Sequence, residues 1–375
     1  MTRIVAFGDL RVLVEGVEGS HAAWLAEFLG PHFDVARPGA PVDRQDAAGD
    51  AACRVRLIED RSRYEAALAA GPSGGASDAF VFDTRIVTLP RWRGGELRLF
   101  DAKWQLFYEV GGPPLAVTIV SAPGNRRVRS AVVDVVRELT TNHAQRAGDV
   151  LLHASAFAVD GRGVIAGGPK RAGKTTLLVH ALSEGSAEYV ANDRVLVPAA
   201  GAPYARGVPT SVGLRRETLD LFPALAERVF AAGYEQLSTL DEAASAESRA
   251  TRGRGRRLTP AQLCAALGVP ARAGCAIASA VFPRVTGEPG AFSLRRLDPA
   301  ETSLRLEGAL FGVGQGRWTS DVFSLAGDPP PRARAALAAA CRALADRVPG
   351  FECLLGLDAY VDAGARKELL AALLP

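Results

Sequence analysis

The chain has 375 residues, 48% of them hydrophobic and 23% charged, which is typical of a globular protein with enough material for two domains. Its formal net charge of +3 is too small to argue for nucleic acid or a membrane surface as a partner, and no uninterrupted apolar run of about 18 residues predicts a transmembrane helix. The five cysteines lack C-x-x-C spacing and the first residues lack a signal-peptide pattern, so we expect no zinc site, no disulfide framework and a cytoplasmic location.

The first 145 residues predict a sheet-rich α/β domain. Several stretches alternate apolar and polar residues, which is the pattern of strands, and two others carry apolar residues at helical spacing. The predicted strands are residues 1–13, 54–58 and most of 79–120, and the predicted helices are residues 21–29 and 129–143. His21 and His32 stand alone, without a catalytic constellation around them in the sequence. We therefore expect residues 1–145 to form a recognition or regulatory domain.

A strand, a glycine-rich turn and the start of a helix follow one another in residues 163–176, GVIAGGPKRAGKTT. Within them, residues 168–175 fit G-x-x-x-x-G-K-[ST], the pattern of a phosphate-binding loop. The chain has only four lysines, so a chance match to this pattern is expected about 0.004 times in a chain of this length. The alternative interpretation is a glycine-rich turn that binds nothing.

Each residue type in this loop has a physical role. Gly168 and Gly173 let the backbone turn tightly and approach a ligand, while the loop amides and the positive end of the following helix attract anionic oxygens. Lys174 would reach the β- and γ-phosphates of ATP, and the Thr175 hydroxyl would bind Mg²⁺. The predicted nucleotide-binding residues are Gly168, Pro169, Lys170, Arg171, Ala172, Gly173, Lys174, Thr175 and Thr176.

The segments on either side of the loop predict more strands. Residues 148–167 predict two strands joined by a tight turn at Asp160 and Gly161, and residues 188–197, EYVANDRVLV, predict a single strand with a polar centre. A second Mg²⁺ partner is needed on the strand that follows the loop helix, and Asp193 lies in the centre of that strand, 19 positions after Lys174. The alternative is a carboxylate in a turn.

The segment HASAFAVDGRGVIAGGPKRAGKTTLL, followed by EYVANDRVLV, resembles the C-terminal domain of bacterial HPr kinase/phosphorylase and its relatives. The resemblance covers residues 148–200 well and the remainder loosely, through VPGFECLLGLDA near the end. It implies that residues 146–375 form an ATP-binding domain with a mixed sheet, a fold shared with phosphoenolpyruvate carboxykinase. It also implies ATP and Mg²⁺ as cofactors.

The same resemblance assigns roles to individual residues. His153 matches the family's histidine near the phosphates, and Asn192 and Asp193 match its two adjacent acidic residues, so His153, Lys174, Asn192 and Asp193 are the candidate catalytic residues. Thr175 and Asp193 are the candidate metal partners. The chain departs from the family at Asn192, because an amide cannot take a proton at neutral pH as the family's carboxylate does.

Two arginine-rich stretches offer weaker signals. The family's glycine-rich second signature is not recognisable, and residues 205–217 are its candidate replacement, with possible contacts to phosphate or acceptor from Arg206, Arg215 and Arg216. Plain surface charge explains these arginines equally well. The polar run at residues 241–257 predicts an exposed loop whose arginines could touch an acidic peptide or nucleic acid, and a solvated loop is the favoured alternative.

The last third of the chain predicts only structural elements. Residues 258–267 predict a short helix opened by Thr259 and Pro260, and a turn at residues 287–290 separates two predicted strands. Those strands are residues 276–284 and 291–297, and the remaining predicted helices are residues 304–311, 332–348 and 363–374.

Three functions of different classes are compatible with these patterns. The first is an ATP-dependent kinase that phosphorylates a hydroxyl of a protein, peptide or small molecule, and the second is a nucleotide-binding accessory protein that has lost phosphotransfer. The third is an ATPase with the ordinary phosphate-loop fold, which the hairpin before the loop and His153 disfavour. Asn192 separates the first from the second. We expect no membrane and no nucleic acid as partner, and assembly into a homo-oligomer stays open.

Overall fold

A computed structural model describes residues 2–35, 53–69, 77–81, 84–89, 97–234, 255–311, 334–360 and 362–374. Its internal contacts divide these residues into two compact units, Met1–Arg146 and a second unit that begins at Ala147. The division lies beside the boundary predicted at residues 145 and 146. Both units combine helices with sheets, so the chain has a mixed α/β architecture. Within the ranges given above, no helix combines the length and apolarity needed to cross a bilayer.

The first unit contains a mixed sheet of nine described strands in the order β3-β1-β2-β4-β9-β8-β7-β6-β5. The strands are β1 (Thr2–Phe7), β2 (Leu10–Glu15), β3 (Asp34–Val35), β4 (Cys53–Glu59), β5 (Ser77–Val81), β6 (Thr84–Leu89), β7 (Leu97–Asp101), β8 (Leu106–Gly111) and β9 (Leu115–Ser121). β4 is parallel to β2 and β9, whereas the pairs from β9 to β5 are antiparallel. The prediction of one strand over residues 1–13 is wrong, because Gly8 at φ +60° turns the chain between β1 and β2.

Three described helices belong to this unit, and two of them were predicted. They are α1 (Gly19–Leu29), α2 (Arg61–Ala69) and α3 (Val128–Ala147). α1 and α3 bury broad apolar faces, which is why their periodicity is visible in the sequence. α2 was missed because it buries only Tyr64 and Ala67 and is otherwise polar.

Asp101, at the end of β7, is a fully buried carboxylate. One of its oxygens accepts the Trp104 backbone N–H at 2.9 Å, and the other has no hydrogen-bond partner in the part of the chain that the structure describes. Burial raises the pKa of this carboxyl to about 6, although backbone N–H groups of Trp104 and Lys103 and the charges of Lys103 and Arg127 oppose the shift. The ionised form of Asp101 therefore destabilises the fold.

We expect Asp101→Asn to raise the free energy of unfolding at pH 8 by about 1–3 kcal/mol. The folded-state pKa lies above the usual 3.8, so stability falls as the pH rises from about 4 to 6, and the amide removes this loss. Urea unfolding at pH 5 and pH 8 checks the result, with Asp34→Asn, an exposed residue of the same unit, as control. An equal effect of Asp101→Asn at both pH values would contradict it.

The second unit is built on another mixed sheet of nine described strands. Seven follow the order β10-β14-β15-β18-β12-β11-β13, and β20 joins β18 to β19. The strands are β10 (Asp149–Leu152), β11 (Ala154–Val159), β12 (Arg162–Gly167), β13 (Ala187–Ala191), β14 (Val195–Pro198), β15 (Tyr204–Gly207), β18 (Gly274–Val285), β19 (Phe292–Leu297) and β20 (Gly350–Leu355), with β16 (Val212–Leu214) and β17 (Arg256–Leu258) forming a separate pair.

β12, the strand that leads into the glycine-rich loop, has one antiparallel and one parallel neighbour. It is antiparallel to β11 and parallel to β18. The β11–β12 hairpin turns at Asp160 (φ +50°) and Gly161 (φ +77°), as the Asp-Gly signal predicts. The predicted mixed sheet is therefore present, and it differs from the parallel sheet of ordinary phosphate-loop enzymes.

β10 pairs with β14, and β11 pairs with β13. The two pairings share one register, with a gap between them. Leu152 lies opposite Val195, and Ala156 lies opposite Ala191, which leaves residues 153–155 and 192–194 outside the ladder. The prediction of one strand over residues 188–197 is wrong for this reason: the three consecutive polar residues leave the sheet. The interruption brings two polar segments together next to the end of β12.

Seven described helices surround this sheet. They are α4 (Lys174–Leu182), α5 (Arg216–Leu221), α6 (Pro223–Ala231), α7 (Pro260–Leu267), α8 (Pro299–Gly308), α9 (Arg334–Ala345) and α10 (Ala363–Leu373). The helix predicted to open at Thr259 and Pro260 is confirmed, although Leu258 belongs to β17. The Thr259 hydroxyl accepts the Gln262 N–H at 3.1 Å, and the Gln262 side chain accepts the Thr259 N–H at 3.1 Å. The predicted strands around residues 287–290 exist, but β19 pairs with β20 and not with β18.

Candidate functional site

The glycine-rich loop connects the end of β12 to the start of α4. Gly168 at φ +140° and Gly173 at φ +106° hold backbone conformations that side chains disfavour, and Arg171 at φ +72° makes a third left-handed turn. A methyl group on Gly173 would lie 2.9 Å from Cγ2 of Val285, so the loop also approaches a neighbouring strand closely. The structure thus has the strand, tight loop and helix start that the sequence predicts. Loops of this geometry can bind anionic oxygens.

Lys174 is buried inside this loop. Its ammonium donates hydrogen bonds to the carbonyl oxygens of Gly168 at 2.8 Å and Pro169 at 2.9 Å. Burial lowers the pKa of Lys174, and the negative charge of Asp193 opposes that shift. The side chain therefore lies folded against the loop that it would use to hold phosphate. Lys170 and Arg171 are exposed at the tip of the same loop.

A buried hydroxyl on β11 fixes the start of α4. Ser155 donates a hydrogen bond to the carbonyl oxygen of Lys174 at 3.1 Å. Ser155 could not be selected from the sequence, because its partner lies 19 residues away on another element. We assign it a supporting role for the loop lysine.

The Thr175 hydroxyl contacts Asn192 at the interruption between β13 and β14. The Thr175 Oγ1 atom donates to Oδ1 of Asn192 at 3.1 Å, and Asn192 is almost fully buried. Of the two residues that match the family's acidic pair, Asn192 is therefore the one that touches the predicted metal-binding hydroxyl. Thr176, the next residue in α4, is buried.

Asp193 contacts His153 across the same interruption. The Nε2 atom of His153 lies 2.9 Å from Oδ1 of Asp193. Burial opposes ionisation of Asp193, but the hydrogen bond from His153 and the positive charges of His153, Arg194 and Lys174 outweigh it and lower the pKa of this carboxyl. Asp193 is thus ionised at neutral pH and interacts electrostatically with the loop lysine.

Ala309 and Phe311 contact His153, and Phe311 in turn contacts Arg194. The His153 backbone N–H donates to the carbonyl oxygen of Ala309 at 2.7 Å, and its ring meets Phe311 edge-on at 6.1 Å between ring centroids. The guanidinium of Arg194, a buried residue, lies 3.8 Å from the centre of the same Phe311 ring. Arg194 was visible as part of a polar run, whereas Phe311 is more than a hundred residues from it in sequence and carried no signal.

The arginines proposed as a second signature have other contacts. Arg206 forms an ion pair with buried Asp149, and Arg216 pairs with Asp220 at 3.5 Å on an exposed helix face. Arg215 precedes α5 and is exposed. The ion pairs of Arg206 and Arg216 therefore involve acidic residues outside the phosphate loop.

The arginine cluster predicted in residues 241–257 is only partly visible. Residues 235–254 lie outside the described ranges, so Arg252 and Arg254 are not placed. Arg256 begins β17, and its guanidinium lies 4.3 Å from the centre of the Phe230 ring. Arg257 pairs with Gly213 in the same short sheet, so the end of the predicted loop is strand.

The donor set fits a magnesium ion that is brought by a nucleotide. No group of three or more His, Cys, Asp or Glu residues is arranged to hold a metal ion in the ranges that the structure describes. Mg²⁺ does not need such a group, because it usually keeps several waters and binds one or two protein oxygens together with substrate phosphates. Thr175, Asn192 and Asp193 supply oxygens of that kind beside the loop.

The comparisons with known proteins add no family to these observations. No protein-family model matches the chain, and no curated protein matches it.

Proposed function

We propose that the protein is an ATP-dependent kinase that transfers the γ-phosphate of Mg-ATP to a hydroxyl of a protein, a peptide or a small molecule. One observation carries this proposal. The Thr175 hydroxyl contacts Asn192. The next residue, Asp193, contacts His153 and interacts electrostatically with Lys174. All of these contacts lie where the strand pairing is interrupted. Phosphoryl transfer needs phosphate positioning, a metal partner and a group for the acceptor hydroxyl, and these residue types supply all three.

The nucleotide would bind through the loop of residues 168–175. Backbone N–H groups and the start of α4 would hold the triphosphate, and Lys174 would exchange its bonds to the Gly168 and Pro169 carbonyls for bonds to phosphate oxygens. Mg²⁺ would neutralise charge on the β- and γ-oxygens. Thr175 and Asp193 are the proposed partners of that ion, with Asn192 oriented toward the Thr175 hydroxyl.

The acceptor hydroxyl would meet His153 and Asn192. Nε2 of His153 contacts the Asp193 carboxylate. When Nε2 carries the ring hydrogen and donates it to Asp193, Nδ1 is the nitrogen that can receive a proton. Asn192 can accept a hydrogen bond from a hydroxyl, although it cannot take its proton. We propose that the first unit recognises the acceptor, because the sequence of residues 1–145 carries no catalytic constellation. The relation to HPr kinase/phosphorylase and phosphoenolpyruvate carboxykinase belongs to this proposal, and the mixed sheet and preceding hairpin support it.

A nucleotide-binding accessory protein without phosphotransfer is the second candidate. The observation that favours it is Asn192, an amide where the related family carries a carboxylate base. The mixed sheet around β12 disfavours the third candidate, the ordinary phosphate-loop ATPase.

Asn192→Asp separates the first two candidates. In an active kinase that relies on positioning and metal electrostatics, we expect this change to alter turnover of Mg-ATP by less than about threefold. Aspartate can still accept the hydrogen bond from the Thr175 hydroxyl, so that contact is kept. In an accessory protein, restoring the base would raise turnover by about 10²-fold or more. The measurement is transfer of labelled γ-phosphate to peptides, small alcohols and water, and a rise of that size would favour the accessory protein.

A further inference from the structure

Val285, at the end of β18, is an exposed apolar side chain that packs against the phosphate loop. It is 37% exposed, yet its Cγ2 atom lies against Gly173, the residue that precedes α4. A methyl group on Gly173 would lie 3.5 Å from the Val285 backbone nitrogen as well. The valine is therefore continuous with the surface on which the triphosphate is proposed to bind.

Leu357, just after the neighbouring strand β20, is a second exposed apolar side chain. It is 47% exposed and begins the short 3-10 helix Leu357–Tyr360 that follows β20. β20 pairs with β18 in parallel, with Leu355 opposite Val285, and the Thr286 N–H donates to the Leu355 carbonyl at 2.9 Å. Leu357 thus lies two residues beyond the partner of Val285.

Several hydrogen bonds fix Leu357 in this exposed position. Its backbone N–H donates to the Glu288 carbonyl at 3.0 Å, and the Asp358 N–H donates to the Gly290 carbonyl at 3.1 Å. The Asp358 carboxylate in turn accepts the Gly290 N–H at 2.8 Å. Gly356 approaches the Gly290 carbonyl so closely that any Cβ there would collide with it. The segment that carries Leu357 is therefore held rigidly against the connection that follows Val285.

Single exposed apolar residues are ordinary on protein surfaces, so their exposure alone means little. These two differ because Val285 touches the phosphate loop and Leu357 is fixed just after β20, the strand that pairs with the end of β18. A nucleotide bound by its phosphates must place its planar, largely apolar base a short distance from them. Pockets for such groups are lined mainly by apolar side chains.

We propose that Val285 and Leu357 form the surface that receives the base of the nucleotide whose triphosphate binds residues 168–175. This inference rests on the proposed function, because it needs a nucleotide in the loop. It assigns the two side chains to binding and not to phosphoryl transfer. The base would cover apolar surface that water contacts in its absence, which favours binding of ATP over binding of triphosphate alone.

The test compares Mg-ATP with magnesium inorganic tripolyphosphate on the full-length chain. The double variant Val285→Thr, Leu357→Ala keeps the shape of the residue against Gly173 but removes apolar surface. We expect its affinity for ATP to fall by about fivefold or more, while its affinity for tripolyphosphate stays within about twofold of wild type. Leu304→Ala, on α8, is the matched control, because Leu304 is 71% exposed and should change neither affinity.

Two outcomes would overturn the inference. One is unchanged ATP affinity in the double variant, and the other is an equal loss for ATP and tripolyphosphate, which would mean that the changes act through the loop. If the wild type binds neither ligand, the proposed function fails as well. Binding of both ligands by wild type, with no difference between them in the double variant, refutes only the base surface.

Discussion

Asp193→Asn is expected to lower phosphoryl transfer and ATP turnover by about 10²-fold or more. The carboxylate of Asp193 pairs with His153 and faces the charges of Arg194 and Lys174, and it is the proposed partner of Mg²⁺. The amide keeps the shape of the side chain but removes the negative charge that pairs with His153 and that would hold the metal. Turnover should therefore fall much more than nucleotide binding does.

The control for this variant is Asp160→Asn in the turn of the β11–β12 hairpin. It makes the same chemical change in the same unit, and asparagine tolerates the positive φ of that position. We expect turnover of Asp160→Asn to match wild type. Undiminished turnover in Asp193→Asn, measured with Mg-ATP across pH, would refute the role of Asp193 in the metal site.

Lys174→Ala is expected to weaken binding of Mg-ATP by at least about tenfold. Lys174 is buried in the loop, and its ammonium is the group placed to exchange the Gly168 and Pro169 carbonyls for phosphate oxygens. The substitution removes these charge-assisted hydrogen bonds and leaves the two carbonyls without their donor. Calorimetric titration of the folded variant measures the effect.

Lys367→Ala provides the comparison for this second variant. Lys367 is exposed on α10 in the same unit, so the change removes one positive charge without touching the loop. We expect its affinity for Mg-ATP to equal that of wild type. If Lys174→Ala is folded and also binds Mg-ATP as wild type does, the phosphate-loop assignment is wrong.

The parts of the site that could be predicted from the sequence are those encoded locally. Gly168, Gly173 and Lys174 lie within seven consecutive residues, and the Asp160-Gly161 turn and the Thr259 cap are equally short signals. Positive φ angles at the glycines and the capping box follow from these residues without help from the remainder of the chain. Local chemistry alone therefore indicates a loop between a hairpin and a helix.

The contacts that give the site its chemistry depend on long-range pairing, and the sequence could not supply them. Which member of the Asn192-Asp193 pair touches Thr175 is decided by where the ladder breaks, because successive residues point in different directions there. Phe311 reaches His153 only because the chain after α8 returns to β10. The pairing of β19 with β20 escaped prediction for a similar reason, since the partner strand lies more than fifty residues away.

Equilibrium dialysis of labelled ATP with the wild-type chain tests the central claim most directly. In the presence of Mg²⁺, we expect saturable binding of one ATP per chain that excess tripolyphosphate displaces, because the loop of residues 168–175 holds the triphosphate. Absence of saturable binding up to millimolar ATP, with the chain folded, would contradict the nucleotide site and with it the proposed kinase.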